Sequence, residues 1–224
     1  AKVIQVDVDK HSRKFKSDIF LNCNLVDFFN STRSFRVQKK EDWRNFIEEV
    51  KKHFARKSIF SKEYCDPNTF FSSISKQIPI NSIIVSDVGQ NQMWLAQSWQ
   101  VKDGQRLLFS GGMGAMGFSL PAAVGAYFGK PKSTVYCFCG DGGFQVNIHE
   151  LETVVRNKIP LKIFVLNNKS LGMVREFQDH NLNGNHQSTV IGYSCPDIKK
   201  IAFAYGLKYV KYDFINSKTS FKKI

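Results

Sequence analysis

The chain has 224 residues, 42% hydrophobic and 23% charged, with a formal net charge of +13. That length supports one sizeable globular domain, or one domain plus part of another. No apolar run reaches the roughly 18 residues of a membrane-spanning helix, and no secretory signal is visible. The lysines are dispersed, as in Lys39-Lys40, Lys51-Lys52, Lys199-Lys200 and Lys222-Lys223. No arginine-rich stripe interleaved with aromatics accompanies them, so the charge reads as a solvated surface and not as a nucleic-acid face. The five cysteines, Cys23, Cys65, Cys137, Cys139 and Cys195, are odd in number and form no Cys-x-x-Cys pair. This indicates neither a disulfide framework nor a zinc site and fits buried thiols in a reducing cytoplasm. The chain begins Ala1-Lys2-Val3 without an initiator Met, as an engineered or a processed fragment would.

In chain order, Lys2 to Val8 alternates and is β-branched, which predicts a strand. Residues 18–60 are mixed, with a short helix expected to end around Asp27-Phe28-Phe29-Asn30. From Glu41 to Phe54, Trp43, Phe46, Ile47, Val50 and Phe54 recur at helical spacing and predict an amphipathic helix. Asp66 is placed to cap a helix opened by Pro67 and closed by Pro79, with Phe70, Phe71, Ile74 and Ile78 on one face. Ser82 to Ser86 predicts a buried strand that ends at Asp87-Val88-Gly89-Gln90. A helix over 92–99 follows.

Four glycines fall within Gly111–Gly117. They run directly into a small-residue helix over 120–127, which favours an ordered loop that admits close backbone approach. Residues 133–139 predict a strand on which Cys137 and Cys139 share a face. Further expectations are a helix over 146–157, a strand over 161–166 and a helix over 171–178. Residues 181–194, rich in Asn, Gly, His and Ser, read as a mobile loop. A helix over 196–205 and a strand over 206–210 complete the series. This alternation predicts an α/β fold, a parallel sheet with helices on both faces.

The chemistry concentrates between Gly140 and Asn168. Apolar runs of strand length end where polar residues begin, which is how a parallel sheet presents a site beyond its carboxyl ends. Asp141 offers a carboxylate and Asn168 an amide oxygen, hard ligands suited to Mg²⁺ or Ca²⁺. Gly142 and Gly143 leave backbone N–H groups bare where a phosphate would be favoured. The bland alternatives are a helix cap for Asp141 and a turn for Asn168.

Gly140-Asp141-Gly142, 24 intervening residues and then Asn167-Asn168 resembles the signature of thiamine diphosphate (ThDP) enzymes. Three further blocks, Val85 to Trp94, Ser110 to Ala123 and Leu166 to Val174, are similar in order and spacing to the acetolactate (acetohydroxyacid) synthase branch. The resemblance implies a C-terminal ThDP-binding domain of the type that holds the cofactor's diphosphate, over 63–224 and truncated at its C-terminus. Residues 1–20, through Val6-Asp7-Val8-Asp9-Lys10, resemble the end of the family's middle domain; the alternative is an ordinary first strand. Residues 21–62 then form a linker with the connecting helix.

Carried over residue by residue, the resemblance implies Mg²⁺ held by Asp141, Asn168 and the carbonyl of Ser170. Gly142 and Gly143 would face the diphosphate, with Gln90 and Asn91 reaching the same phosphates; the branch commonly has His at the Asn91 position. Met116 would prop the cofactor's two rings into a V, Gly114 would offer its carbonyl to the aminopyrimidine, and Met173 would line the pocket. Phe177 stands where the branch typically has Trp, which keeps an apolar ring and loses the indole N–H. Arg175 would meet a carboxylate or face solvent.

The implied reaction is decarboxylation of a 2-oxo acid of the pyruvate type and transfer of the resulting enamine to a second carbonyl. The family's activating glutamate belongs to a pyrimidine-binding domain that no part of this chain resembles. The chain alone is therefore expected to be inactive, and a homodimer or tetramer is expected through that domain. FAD in the full-length protein is left open. Alternatives are a ThDP-dependent decarboxylase or C–C lyase with another 2-oxo or sugar-derived substrate, and a catalytically silent assembly module.

Overall fold

In the computed structural model the described residues are 2–11, 16–36, 40–53 and 66–211. Phe54, Cys65, Lys39 and Lys222-Lys223 lie outside them. The chain divides into two units, Ala1–Arg56 and Lys57–Ile224.

The smaller unit holds two parallel strands, β1 (Ile4–Asp7) and β2 (Ile19–Asn22), paired from Ile4↔Ile19 to Asp7↔Asn22. Two helices follow, α1 (Leu25–Thr32) and α2 (Glu41–His53). The side chain of Asn24 caps α1 by accepting the Asp27 N–H at 2.9 Å. Phe28 and Phe29 fall within this helix instead of closing it. Glu41 and Asp42 open α2, and Lys51, Lys52 and His53 end it, charges placed to suit the helix dipole.

The larger unit is built on four parallel strands, β3 (Ile83–Ser86), β4 (Arg106–Phe109), β5 (Val135–Gly140) and β6 (Lys162–Leu166). Their spatial order is β4-β3-β5-β6. Every residue of β3 is buried, as expected for a strand covered on both faces. Its side chains alternate between two cores. On one face Ile84 and Phe138 pack with Phe71, Ile74, Leu95 and Trp99 from α3 (Pro67–Gln77), α4 (Gln90–Ser98) and its C-cap. On the other, Ile83, Val85, Val135 and Cys137 pack with Ala123 of α5 (Ser119–Gly129). Helices cover both faces, as the alternation predicted.

Asp66 accepts from the N–H groups of Asn68 and Thr69 at 3.3 and 3.1 Å, so the expected cap of α3 is formed. Of the helix expected over 146–157, only Glu150–Arg156 is formed as one helix, and Val146 instead ends a separate short one. α6 (Asp141–Val146) starts at the carboxyl end of β5, and α7 (Glu150–Arg156) follows a break at residues 147–149. Helices α8 (Gly172–Asn181) and α9 (Ile198–Ala204) complete the described elements. No described helix is long and apolar enough to cross a membrane.

The strand expected over 206–210 is not formed. Gly206, at φ +69°, donates to Phe203 O, and Leu207 donates to Ala202 O. These two bonds close the carboxyl end of α9 as a Schellman motif and take the N–H groups of the first two residues of the expected strand. Leu207 instead adds its side chain to the core under α9.

Phe138 is the centre of the first core. It is fully buried, stacked on Phe164 at 4.7 Å, and within 5.4 and 5.7 Å of the rings of Phe71 and Trp99. Phe138→Ala should destabilise the fold by about 3–5 kcal/mol, read as a lower urea midpoint at unchanged m.

Candidate functional site

The carboxyl ends of all four strands lie on one side of the sheet, because all four run parallel. Asp87 follows β3, the glycine-rich loop follows β4, Asp141 follows β5, and Asn167-Asn168 follow β6. β5 and β6 are neighbours, paired through Gly140↔Leu166, so Asp141 and Asn168 leave adjacent strand ends.

Asp87 organises this edge. It is fully buried and accepts four hydrogen bonds: Val88 N–H and Gly117 N–H on Oδ1 at 2.9 and 3.0 Å, Ser119 N–H and Ser119 hydroxyl on Oδ2 at 2.9 and 2.8 Å. A buried carboxylate is tolerable when its lone pairs are met in this way. The bonds pin the far end of the glycine-rich loop and the start of α5 to the end of β3. Gly117, at φ +81°, is clasped further by Asn147, whose amide donates to its carbonyl at 2.8 Å. Gly143 passes close on another side. A Cβ there would stand 2.6 Å from Asp87 Oδ1, so only glycine lets α6 approach.

Asn91, expected at the phosphates, is buried, and its amide nitrogen donates to Asp87 O at 3.0 Å and Ser86 Oγ at 3.4 Å. It secures the end of β3 and does not project its amide nitrogen outward. Gln90 does project. Its Oε1 accepts from Asn168 Nδ2 at 3.3 Å and lies so near Gly172 that a Cβ there would clash. Asn168 Oδ1 in turn accepts the N–H of Ser170 at 3.1 Å.

Asp141 is 1% exposed and receives the hydroxyl of Tyr193 on Oδ2 at 2.8 Å. Burial raises the Tyr193 phenol well above its ordinary pKa, and the adjacent carboxylate adds to the effect, so the hydroxyl keeps its proton and donates. Burial, with Asp141 again contributing, also raises the Cys195 thiol. Gly142 lies between three side chains. A Cβ on it would meet Leu171 Cδ2 at 2.6 Å, Tyr193 Oη at 3.2 Å and Met116 Cε at 3.4 Å. Met116 is thereby brought to the turn that carries Asp141. Gly114, at φ +66°, is exposed in the same loop. Met173 and Phe177 are exposed one turn apart on α8. Arg175, on the same helix, is half exposed and 4.0 Å from Asp179.

The residues fit a diphosphate–cation pair. Among the described residues Asp141 Oδ1 accepts no hydrogen bond. Nor does the buried Ser170 Oγ have a hydrogen-bond partner among the described residues. Gly142 presents backbone without a side chain. Among the described residues no cluster of three or more His, Cys, Asp or Glu could hold a metal. One carboxylate with amide and carbonyl oxygens instead suits Mg²⁺, which usually keeps phosphate or water oxygens in its remaining positions.

Comparison with known proteins decides the family. The thiamine pyrophosphate enzyme family, through its C-terminal TPP-binding domain, matches residues 87–224. The chain belongs to this family. It is 35% identical to the probable acetolactate synthase large subunit of Methanocaldococcus jannaschii, over 93% of this chain and 37% of that protein. Against the acetolactate synthase large subunit of Lactococcus lactis it is 36% identical, over 96% of this chain and 37% of that protein. Against the isozyme 2 large subunit of Escherichia coli it is 42% identical over 60% of this chain. The chain therefore spans little more than a third of the length of the first two relatives, as the C-terminal part of an acetolactate synthase-like protein.

The sequence reading missed Tyr193, Leu171 and the role of Asp87. Tyr193 reaches Asp141 across 52 positions from a polar loop, and no local pattern marks it. Asp87 did carry a signal: it stands two positions after the apolar run Ile83-Ile84-Val85, where a carboxylate needs a reason. Asp87→Ala would leave the Gly117 and Ser119 N–H groups buried without an acceptor. It should cost about 3 kcal/mol in chemical denaturation and speed amide exchange at residues 117–119.

Proposed function

We propose that this TPP-binding domain holds ThDP together with Mg²⁺ and belongs to an acetolactate synthase-like carboligase. In this reading the whole enzyme decarboxylates a 2-oxo acid of the pyruvate type and transfers the two-carbon unit to a second carbonyl. The observation that carries the reading is the meeting of Asp141, Gly142 and Met116 at one strand end, with Asn168 and Gln90 joined at the next.

Asp141, Asn168 and the Ser170 carbonyl would hold the cation, and the bare amides of Gly142 and Gly143, with Gln90, would take the diphosphate. Asn91 would serve by fixing the strand end. Met116, anchored through Gly117 to Asp87, would supply the apolar wedge between the cofactor's rings, with the Gly114 carbonyl toward the aminopyrimidine. When bound, ThDP supplies the electron sink for loss of CO₂. Met173 and Phe177 would line the side from which substrate arrives and shield the reacting carbon from water. The activating glutamate is assigned to a pyrimidine-binding domain of a partner subunit, so activity belongs to the assembled cytoplasmic enzyme, a homodimer or tetramer. A second reading rests on Phe177, whose ring lacks the indole N–H. It gives a decarboxylase or C–C lyase with a different 2-oxo or sugar-derived substrate.

Titration calorimetry tests the site. ThDP should bind with Mg²⁺, fail to bind in EDTA, and fail to bind to Asp141→Ala. At a ThDP concentration about 100 times its Kd, the folded protein should gain roughly 2.7 kcal/mol of stability. Binding that is indifferent to EDTA or to Asp141→Ala would contradict the reading. A screen of 2-oxo acids on the full-length protein separates the carboligase from the lyase by product.

A further inference from the structure

The segment that delivers Tyr193 to Asp141 is more ordered than its composition suggests. Gln178 of α8 is 8% exposed; it donates to Gln187 O at 3.0 Å and accepts the Thr189 hydroxyl at 2.5 Å. Thr189 is 1% exposed, and its carbonyl takes the N–H of Leu171 at 3.3 Å. Ser188 N–H donates to Ile191 O at 2.9 Å, and Gly184 N–H to Gln178 O at 3.0 Å. At the far end, Gln145 of α6 donates to Ser194 O at 3.3 Å. The expected mobile loop is thus a turn built onto α8 and closed against α6, the helix that begins with Asp141.

We propose that Tyr193 is a positioning residue for the cation at Asp141. The inference rests on the proposed Mg²⁺–ThDP site. The hydroxyl occupies Oδ2 and fixes the carboxylate in one orientation. That leaves Oδ1, which has no hydrogen-bond donor among the described residues, for the metal. Hydrogen bonds to a ligating carboxylate from outside the coordination shell hold it in the geometry the ion needs. The donor is supplied by a segment whose own anchors, Gln178 and Thr189, are buried, so the constraint on Asp141 is stiff. Phe at this position keeps the aromatic ring and removes only the hydroxyl that donates to Asp141.

The test uses the full-length protein that carries this chain. Mn²⁺, a spectroscopic substitute for Mg²⁺, is titrated at saturating ThDP into wild type and Tyr193→Phe. Amide exchange over residues 186–195 is followed without metal. The expected result is an Mn²⁺ affinity lowered about tenfold or more, with metal-free exchange as in wild type. An affinity equal to or above that of wild type would overturn the proposal, the second outcome meaning that the hydroxyl competes with the ion. A lowered affinity with faster metal-free exchange would also overturn it, because Tyr193 would then only be holding the turn. Absence of Mn²⁺-dependent ThDP binding in wild type would remove the site itself, and the inference with it.

Discussion

Asp87 sits at the end of the central strand with no contact with solvent. An ionised carboxylate in that position is costly unless donors surround it. The donors are main-chain and hydroxyl groups of Gly117 and Ser119, some 30 residues later, and the N–H of Val88. Meeting that requirement draws the glycine-rich loop against the end of β3, and with it Met116. The space left beside the carboxylate admits Gly143 and no larger residue, which brings the start of α6 to the same point. One buried charge thus fixes the relation between the loop after β4 and the turn after β5. The groups assigned to the cofactor's rings and to its diphosphate lie on those two segments.

The outward-facing groups depend on this frame. Gln90 and Asn168 meet each other across the ends of β3 and β6, and Asp141 is held by Tyr193 from a loop that α8 anchors. The side chains that fix the frame, Asp87, Asn91 and Ser119, are buried; Ser119 donates to the Asp87 carboxylate and Asn91 to the Asp87 main-chain carbonyl. Those assigned to the substrate side, Met173 and Phe177, are exposed on one helix. Phe177 is exposed and outside the set of side chains that bond to Asp87, so its substitution should leave that frame in place.

Most of the fold was legible because its signals are local. Ile83-Ile84-Val85 reads as a buried strand from composition alone, and Asp66-Pro67 reads as a helix start because the cap needs only the next three residues. The failures have physical causes. Arg106-Leu107-Leu108-Phe109 is only four residues long and takes its strand state from pairing with β3, which a local pattern does not contain. Residues 206–210 have strand composition, but the N–H groups of Gly206 and Leu207 are used in closing α9. Asp141, Asn168, Gly142 and Met116 were singled out through spacing and resemblance, and the structure places Met116 beside Gly142 and starts Asp141 and Asn168 from neighbouring strand ends. Asn91 was placed correctly in the chain, but its side chain turns inward. Tyr193 was invisible, because its contact with Asp141 arises only after α8 and the following turn have packed.

The central claim is that Asp141 and Asn168 share one cation beside Gly142. The most direct measurement is a crystal structure of the full-length protein grown with ThDP and Mn²⁺, with anomalous data collected at the manganese edge. The account predicts a single anomalous peak within coordination distance of the Asp141 carboxylate and the Asn168 amide oxygen, with diphosphate density over Gly142 and Gly143. A peak away from both residues, or ordered ThDP with no metal between it and Asp141, would contradict it.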